Sequence, residues 1–235
     1  MNPPQYREII DRYNVDFLKA PGDLAVKNGD IAVTKRGDFM LNSDEYSALV
    51  TLVTYWSFNE PYLRNLFDLS LTTKCRLDSL VAQRDQSLDR FVNHERNDEI
   101  SANAIGTASY AGAIVMVISR LLLAFRDDLD ATDQEWTQTG PMVEGCSIGQ
   151  IIEAAANNFR HNDEWLKSAR KPTSQQLRSI RVLAMALKEP IAPDGARHGL
   201  SRDLCPQILE LLSSGDFDRL ASNVFAFANA IPSGR

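Results

Sequence analysis

The sequence predicts a mainly α protein, a multi-helix bundle with a small N-terminal β-hairpin, and three observations carry that prediction. Apolar residues recur at three- and four-residue spacing from about residue 43 to the C-terminus. One short segment near the N-terminus changes to a period of two. A hydrophobic content of 44% with 24% charged residues is that of a chain with a packed core. At 235 residues one domain suffices, with residues 24–41 as a β appendage and residues 43–126 and 147–232 as two helical halves.

Taken in order, Tyr6, Ile9, Ile10, Tyr13 and Phe17 share a helical face over residues 4–19. In "DLAVKNGDIAVTKRGDFML", Leu24, Val26, Ile31, Val33, Phe39 and Leu41 alternate with polar or small residues. Asn28-Gly29 supplies the two positive-φ positions of a type I′ turn, and Gly37 supports a second turn. So small a β element is not stable unless packed on the helices. Ser43 caps a helix running to Phe58, and Pro61 is placed at the first turn of the next, which ends at Leu69. Helices over 72–96 and 98–126 follow. The acidic stretch to residue 145 reads as a loop or broken helix. Helices resume at 147–169, 173–188, 202–213 and 216–231, with "KEPIAPDGARHGLS" as the late loop.

A net charge of −6 disfavours bulk nucleic-acid binding, although Arg170, Lys171, Arg178 and Arg181 cluster in sequence. Cys75, Cys146 and Cys205 are odd in number and lack metal-ligand spacing. "MNPPQYREII" does not have the pattern of a signal peptide. A reduced, cytoplasmic setting is the expectation. Residues 100–119 carry no charge and approach the length of a membrane span, but Asn103, Thr107, Ser109 and the small residues suit a central bundle helix, so no membrane association is expected. No phosphate-cradling glycine loop or nucleophile elbow occurs, and no cofactor is implied.

The most polar helical stretch is "AAANNFRHNDEW", residues 154–165. At 100° per residue, Ile151, Ile152, Ala155, Phe159 and Leu166 form the core face, with Glu153, Asn157, Arg160 and Glu164 opposite. Arg160 and Glu164 are spaced for a solvated ion pair. Asn162 projects within the apolar face and Asn158 lies at its border, so both should bond loop backbone, another polar side chain or a ligand. His161 and Trp165 sit together at the lip. Asn158, His161, Asn162 and Trp165 are therefore the candidate binding residues. Arg84 falls in the apolar stripe of 72–96, and a helix packed beside 147–169 would bring it to Asn158, Asn162 or Asp163. His161 and Glu164 in reversed, single array do not make a di-metal site, and the acidic run from Asp127 to Glu135 lacks a calcium loop's glycine, so no metal is predicted.

Metal-independent RNA cleavage would need a histidine with a cation beside the phosphate. His161 with Arg160 or Arg84 supplies those types, as do Arg90, Asn93, His94 and Arg96 in "RFVNHER". "NNFRHNDEW" resembles a motif of mainly helical bacterial proteins, some of them similar to the HEPN superfamily of helical-bundle proteins in toxin–antitoxin and anti-phage systems, often RNases. That resemblance implies a helical bundle in a defence or mobile-element system, with RNA among the partners. HEPN nucleases carry Arg, four to six residues, then His. Here three residues separate Arg90 from His94, and Arg160 adjoins His161. With that set incomplete, the expectation is a non-enzymatic binding or regulatory protein with a protein partner or a homo-oligomeric state; the alternative is a HEPN-like metal-independent RNase.

Overall fold

Two long helices, α2 (Asp44–Gln86) and α3 (Arg90–Leu129), form the spine of the protein in a computed structural model that describes residues 6–86, 90–168, 172–189 and 203–233. They run antiparallel: Thr51 lies near Asp128, Thr73 packs by Gly106, and the Arg96 guanidinium donates to the Gln83 carbonyl at 3.0 Å. On α3 the buried residues Ala111, Ile114, Val115, Ile118, Leu122, Phe125 and Leu129 step by three and four. Within Asn93–Leu129 one window is long and apolar enough to cross a membrane. In this fold α3 packs its apolar side on α2, α5 (Ile148–Arg160) and α8 (Cys205–Ser213).

Around the spine stand α1 (Tyr6–Arg12), α4 (Asp133–Gln138), α6 (Asn162–Ser168), α7 (Ser174–Leu187) and α9 (Phe217–Ser233). One continuous apolar core draws on α1, α2, α3, α5, α7, α8 and α9. All three cysteines are unpaired, Cys75 at the surface and Cys146 and Cys205 buried.

Several element boundaries differ from the sequence prediction, beginning with the first helix, expected over 4–19, which ends at Arg12. Pro61 lies inside α2 rather than at a helix start. The missing N–H and the clash with the preceding turn cost helix stability locally, but Trp56, Glu60 and Leu63 on either side are almost wholly buried, so tertiary packing carries the helix through. The predicted helix 72–96 is divided between α2 and α3, so Arg84 ends one helix and Arg90, His94 and Arg96 begin the next. In the acidic stretch, a capping box closes α4: the Thr132 hydroxyl accepts from Glu135 N–H, and the Glu135 carboxylate accepts from Thr132 N–H at 2.7 Å. A second hairpin, β3 (Met142–Val143) with β4 (Cys146–Ser147), turns through Glu144 and Gly145 at positive φ.

The N-terminal hairpin, β1 (Val26–Lys27) with β2 (Asp30–Ile31), turns at Asn28 and Gly29 with φ of 56° and 88°, as its sequence predicts. Residues 39–41 add a third, bridged segment. The apolar side of the alternation looks outward. Ala32 and Met40 are buried, and Leu24, Val26, Ile31, Val33 and Phe39 are each more than half exposed. Alternation defines two faces but not the side on which the helices lie. The element is fixed to the spine by Arg36, which pairs with Asp128 at 2.7 Å and lies over the Tyr55 ring, and by Lys35, which pairs with Asp130.

Candidate functional site

A cleft of about 240 Å³ opens between the C-terminal end of α5, α6 and the start of α7. Its position follows from how α5 is anchored. Ser147 caps α5 in a reciprocal box with Gln150, and its hydroxyl donates to the Trp136 carbonyl at 2.7 Å. Gly149 lets the Phe227 and Trp136 rings approach; a Cβ there would meet them at 2.5–2.8 Å. One face of α5, Ile151, Ile152 and Ala155, is wholly buried. At the far end Phe159 rests on Gly112 of α3, where a Cβ would stand 2.1 Å from the ring.

The helix then stops. His161 is the cap, with φ −117° and ψ 22°, and Asn162 starts α6. Helix 147–169 was expected to be continuous. Asn157, Asn158, His161, Asn162 and Asp163 are all poor helix formers, so the break falls where intrinsic propensity is lowest. Trp165 N–H donates to the His161 carbonyl at 2.9 Å, and the indole is 2% exposed. The cleft brings His161, Glu164 and Trp165 together with Asn157 of α5 and with Thr173, Gln175, Gln176 and Ser179. His161 Nδ1 lies 3.3 Å from Glu164 Oε2. The Asn157 amide donates to Ser179 Oγ at 3.4 Å across the α5–α7 interface. A smaller groove of about 100 Å³ continues past Asn157, Gln175 and Ser179 to Glu153 and Arg178.

The other expected residues are dispersed. Asn158 is fully buried and its Oδ1 accepts from Leu204 N–H at 2.9 Å, tying α5 to the entry of α8. It bonds loop backbone and does not line the cleft. Asn162 is half-buried, and among the described residues its Oδ1 has no hydrogen-bond donor. Arg160 is exposed and turns to Met116, with its guanidinium 3.8 Å from the sulfur. Glu164 pairs with His161, where a pair with Arg160 was expected.

Arg84 is not a core residue. It is half-exposed and bonds its neighbour Asp85 at 2.9 Å. Its helix end faces Arg96, and Phe159 packs sixteen residues further along α3 at Gly112, a rise of about 24 Å. The expected network of Arg84 with Asn158, Asn162 or Asp163 does not form, because the chain reverses before the helix can pack beside α5. His94 is exposed, away from the cleft. In the basic cluster, Arg178 pairs at long range with Asp133 at 3.9 Å, and Arg170 and Lys171 lie outside the described residues.

A second polar cluster lies at the other end of the bundle, and it was not anticipated. Glu60, 1% exposed, accepts from Arg12 at 2.7 Å, Arg64 at 2.8 Å, the Tyr13 hydroxyl at 3.2 Å and the Trp56 indole at 3.0 Å. Asp218 of α9 accepts from Tyr13 at 3.0 Å and from Arg64. Partial burial pushes the Asp218 carboxyl up, but the bonds from Arg64 and Tyr13 outweigh it and hold it below the usual carboxylate range. Burial and the Glu60 charge push the Tyr13 phenol well above its ordinary value. Arg64 also lies 4.5 Å over the Phe217 ring, and Tyr13 stacks on Phe225 at 5.2 Å. Glu60 is the buried centre and Arg12, Arg64 and Asp218 are its partly exposed rim, so this cluster joins α1, α2 and α9. Glu60 and Arg64 in mid-helix gave no sequence signal because their distant partners, Arg12 and Asp218, lie 48 and 154 residues away along the chain.

Comparison of the chain with protein-family models, with curated proteins and with solved structures returns no match.

Proposed function

We propose that this is a binding protein of regulatory character, acting without catalysis in the cytoplasm, and that the cleft at His161 is where it holds a small, uncharged, hydrogen-bonding ligand. One observation carries this: carboxamides and hydroxyls (Asn157, Gln175, Gln176, Thr173, Ser179) surround the cleft, and among the described residues that line it there is no arginine or lysine. With Glu164, beside His161, as the one carboxylate on the described lining, these groups discriminate mainly by donor–acceptor pattern. At about 240 Å³ the cleft suits a ligand smaller than most drugs. A place in a bacterial defence or mobile-element system is part of the same proposal and rests on the "NNFRHNDEW" resemblance.

Thermal unfolding with nucleosides, monosaccharides and free amino acids, each at millimolar concentration, tests it. A ligand at about tenfold its Kd should raise Tm by roughly 3–5 °C in a chain of this size. Asn157→Leu should abolish that rise. Total RNA incubated with wild type and with His161→Ala supplies the opposing result: cleavage by wild type alone would replace the binding function with nuclease chemistry.

A further inference from the structure

The large apolar residues of the N-terminal hairpin face away from the protein. Leu24, Val26, Ile31, Val33 and Phe39 are 51–67% exposed and, by the register Val26↔Ile31, Val33↔Phe39 and Leu24↔Leu41, they share one face. That face does not end at the hairpin. The Val33–Phe39 end flanks the turn from which Arg36 reaches Tyr55 of α2, with its guanidinium 5.7 Å from the ring centroid. Tyr55, Phe58 and Tyr62 then follow at helical spacing, 41%, 60% and 69% exposed. Eight of the thirteen large apolar residues exposed among the described ones therefore lie on this side of the molecule.

We infer that this hairpin face, with the adjoining stripe of α2, is the surface through which two copies of this chain pair. Area is the first reason. An aliphatic side chain hides on the order of 100 Å² when buried and an aromatic one about 150–250 Å², so these eight leave roughly 700 Å² of apolar surface in water. The largest patch on a monomer is typically about 300–600 Å², and a stable interface buries about 800 Å² per partner. Charge is the second. In a two-fold pair each patch meets itself, so any net charge at its centre would repel its own copy. Here Arg36, which stands between the hairpin face and the stripe of α2, is neutralised within the chain by Asp128, and the bordering lysines are paired too, Lys27 with Asp44 at 3.3 Å and Lys35 with Asp130. That neutralisation, with a net charge of −6, gives an anionic lipid surface nothing to attract it.

Sedimentation equilibrium of the full chain from about 1 to 100 μM, the weak end of what such an area supports, tests the pairing. The expected result is a dimer for wild type, with dissociation at least tenfold easier in Val33→Asp/Phe39→Asp and, separately, in Phe58→Lys/Tyr62→Lys. These side chains stand mostly in water, so far-UV circular dichroism should be unchanged; should one pair misfold, the other decides. His161→Ala should dimerise as wild type does, which keeps this result separate from that for the cleft. A wild type monomeric throughout overturns the inference. So does a dimer indifferent to both double variants, or a monomer that floats with phosphatidylcholine vesicles, since the face would then take lipid.

Discussion

Around Glu60 four donors converge on one buried carboxylate beside packed aromatic rings; around His161 a similar number of polar groups stand apart around a cleft. The two regions have much the same chemistry, and what separates them is closure. At Glu60 each polar atom finds its partner within the chain, so the desolvation of a charge is offset by fixed hydrogen bonds and the cluster holds three helices together. At His161 the helix breaks one residue before its polar groups would have been carried onto the packed face, and they remain where a ligand can reach them. A polar cluster on a helix is thus a lock or a site according to whether the backbone continues.

The sharpest test of the contrast removes the lock. Glu60→Ala leaves two guanidiniums facing each other and strands the Trp56 indole N–H, while the Tyr13 hydroxyl keeps Asp218. Breaking a buried pair costs about 3–5 kcal/mol, and because Arg12 and Arg64 are each a third exposed we expect about 3 kcal/mol in urea unfolding. The same cluster should weaken in acid. Asp218 is depressed in the folded protein, so its contribution is fully present above the unfolded value of about 4 and is lost as pH falls through the lower folded value. Asp218→Asn should flatten the decline in stability below about pH 4, as read from urea midpoints. An unchanged slope would mean that Asp218 is not part of the lock.

Next in size is Gly112→Ala, which drives a methyl into the Phe159 ring and shifts the end of α5 that sets the cleft. Overpacking of this kind costs about 2 kcal/mol. It should also weaken ligand binding at His161, which Glu60→Ala should not do once the protein is folded. Equal loss of binding in the two variants would erase the distinction between the regions.

Much of the fold was legible in the sequence because periodicity is a local property. The helical class and the Asn28-Gly29 turn came from short-range pattern alone. The Thr132-x-x-Glu135 capping box was there to be read, and the acidity around it hid it. What pattern does not carry is the choice among faces. The hairpin alternates equally well in either orientation, and the Ala32 and Met40 side packs inward where Arg36 and Lys35, far along the chain from their partners, pair with Asp128 and Asp130. The Arg84 stripe failed for a similar reason, since a helical wheel continues through a reversal that it cannot see. At the cleft, His161 and Trp165 were visible as a pair four apart, but Asn157, Gln175 and Ser179 were not. Their meeting depends on α7 folding back on α5.

Two asparagines four apart provide a finer test. Asn158→Ala strands a buried Leu204 N–H and should cost about 1–2 kcal/mol. Asn162→Ala removes a carbonyl oxygen that, among the described residues, has no donor, and improves helix propensity at the start of α6. It should be neutral or stabilising by a few tenths of a kcal/mol. Matching losses at the two positions, in the same denaturant titration, would mean that Asn162 is held by a partner as Asn158 is.

The smallest effects mark where neither region extends. Arg84→Met removes a half-exposed guanidinium that pairs with the adjacent, more exposed Asp85, and Glu164→Ala removes an exposed carboxylate beside His161. Surface pairs of this kind contribute less than about 0.5 kcal/mol, so the two variants should be indistinguishable from wild type in stability. They should part only in binding: Glu164 lines the cleft, and its loss lets the imidazole turn and changes affinity for whatever ligand raises Tm, whereas Arg84 lies about 24 Å along the spine from the site and its loss leaves affinity alone. A loss of more than about 1 kcal/mol in Arg84→Met would instead return that arginine to the packed interior and require the spine to continue past the turn that divides α2 from α3.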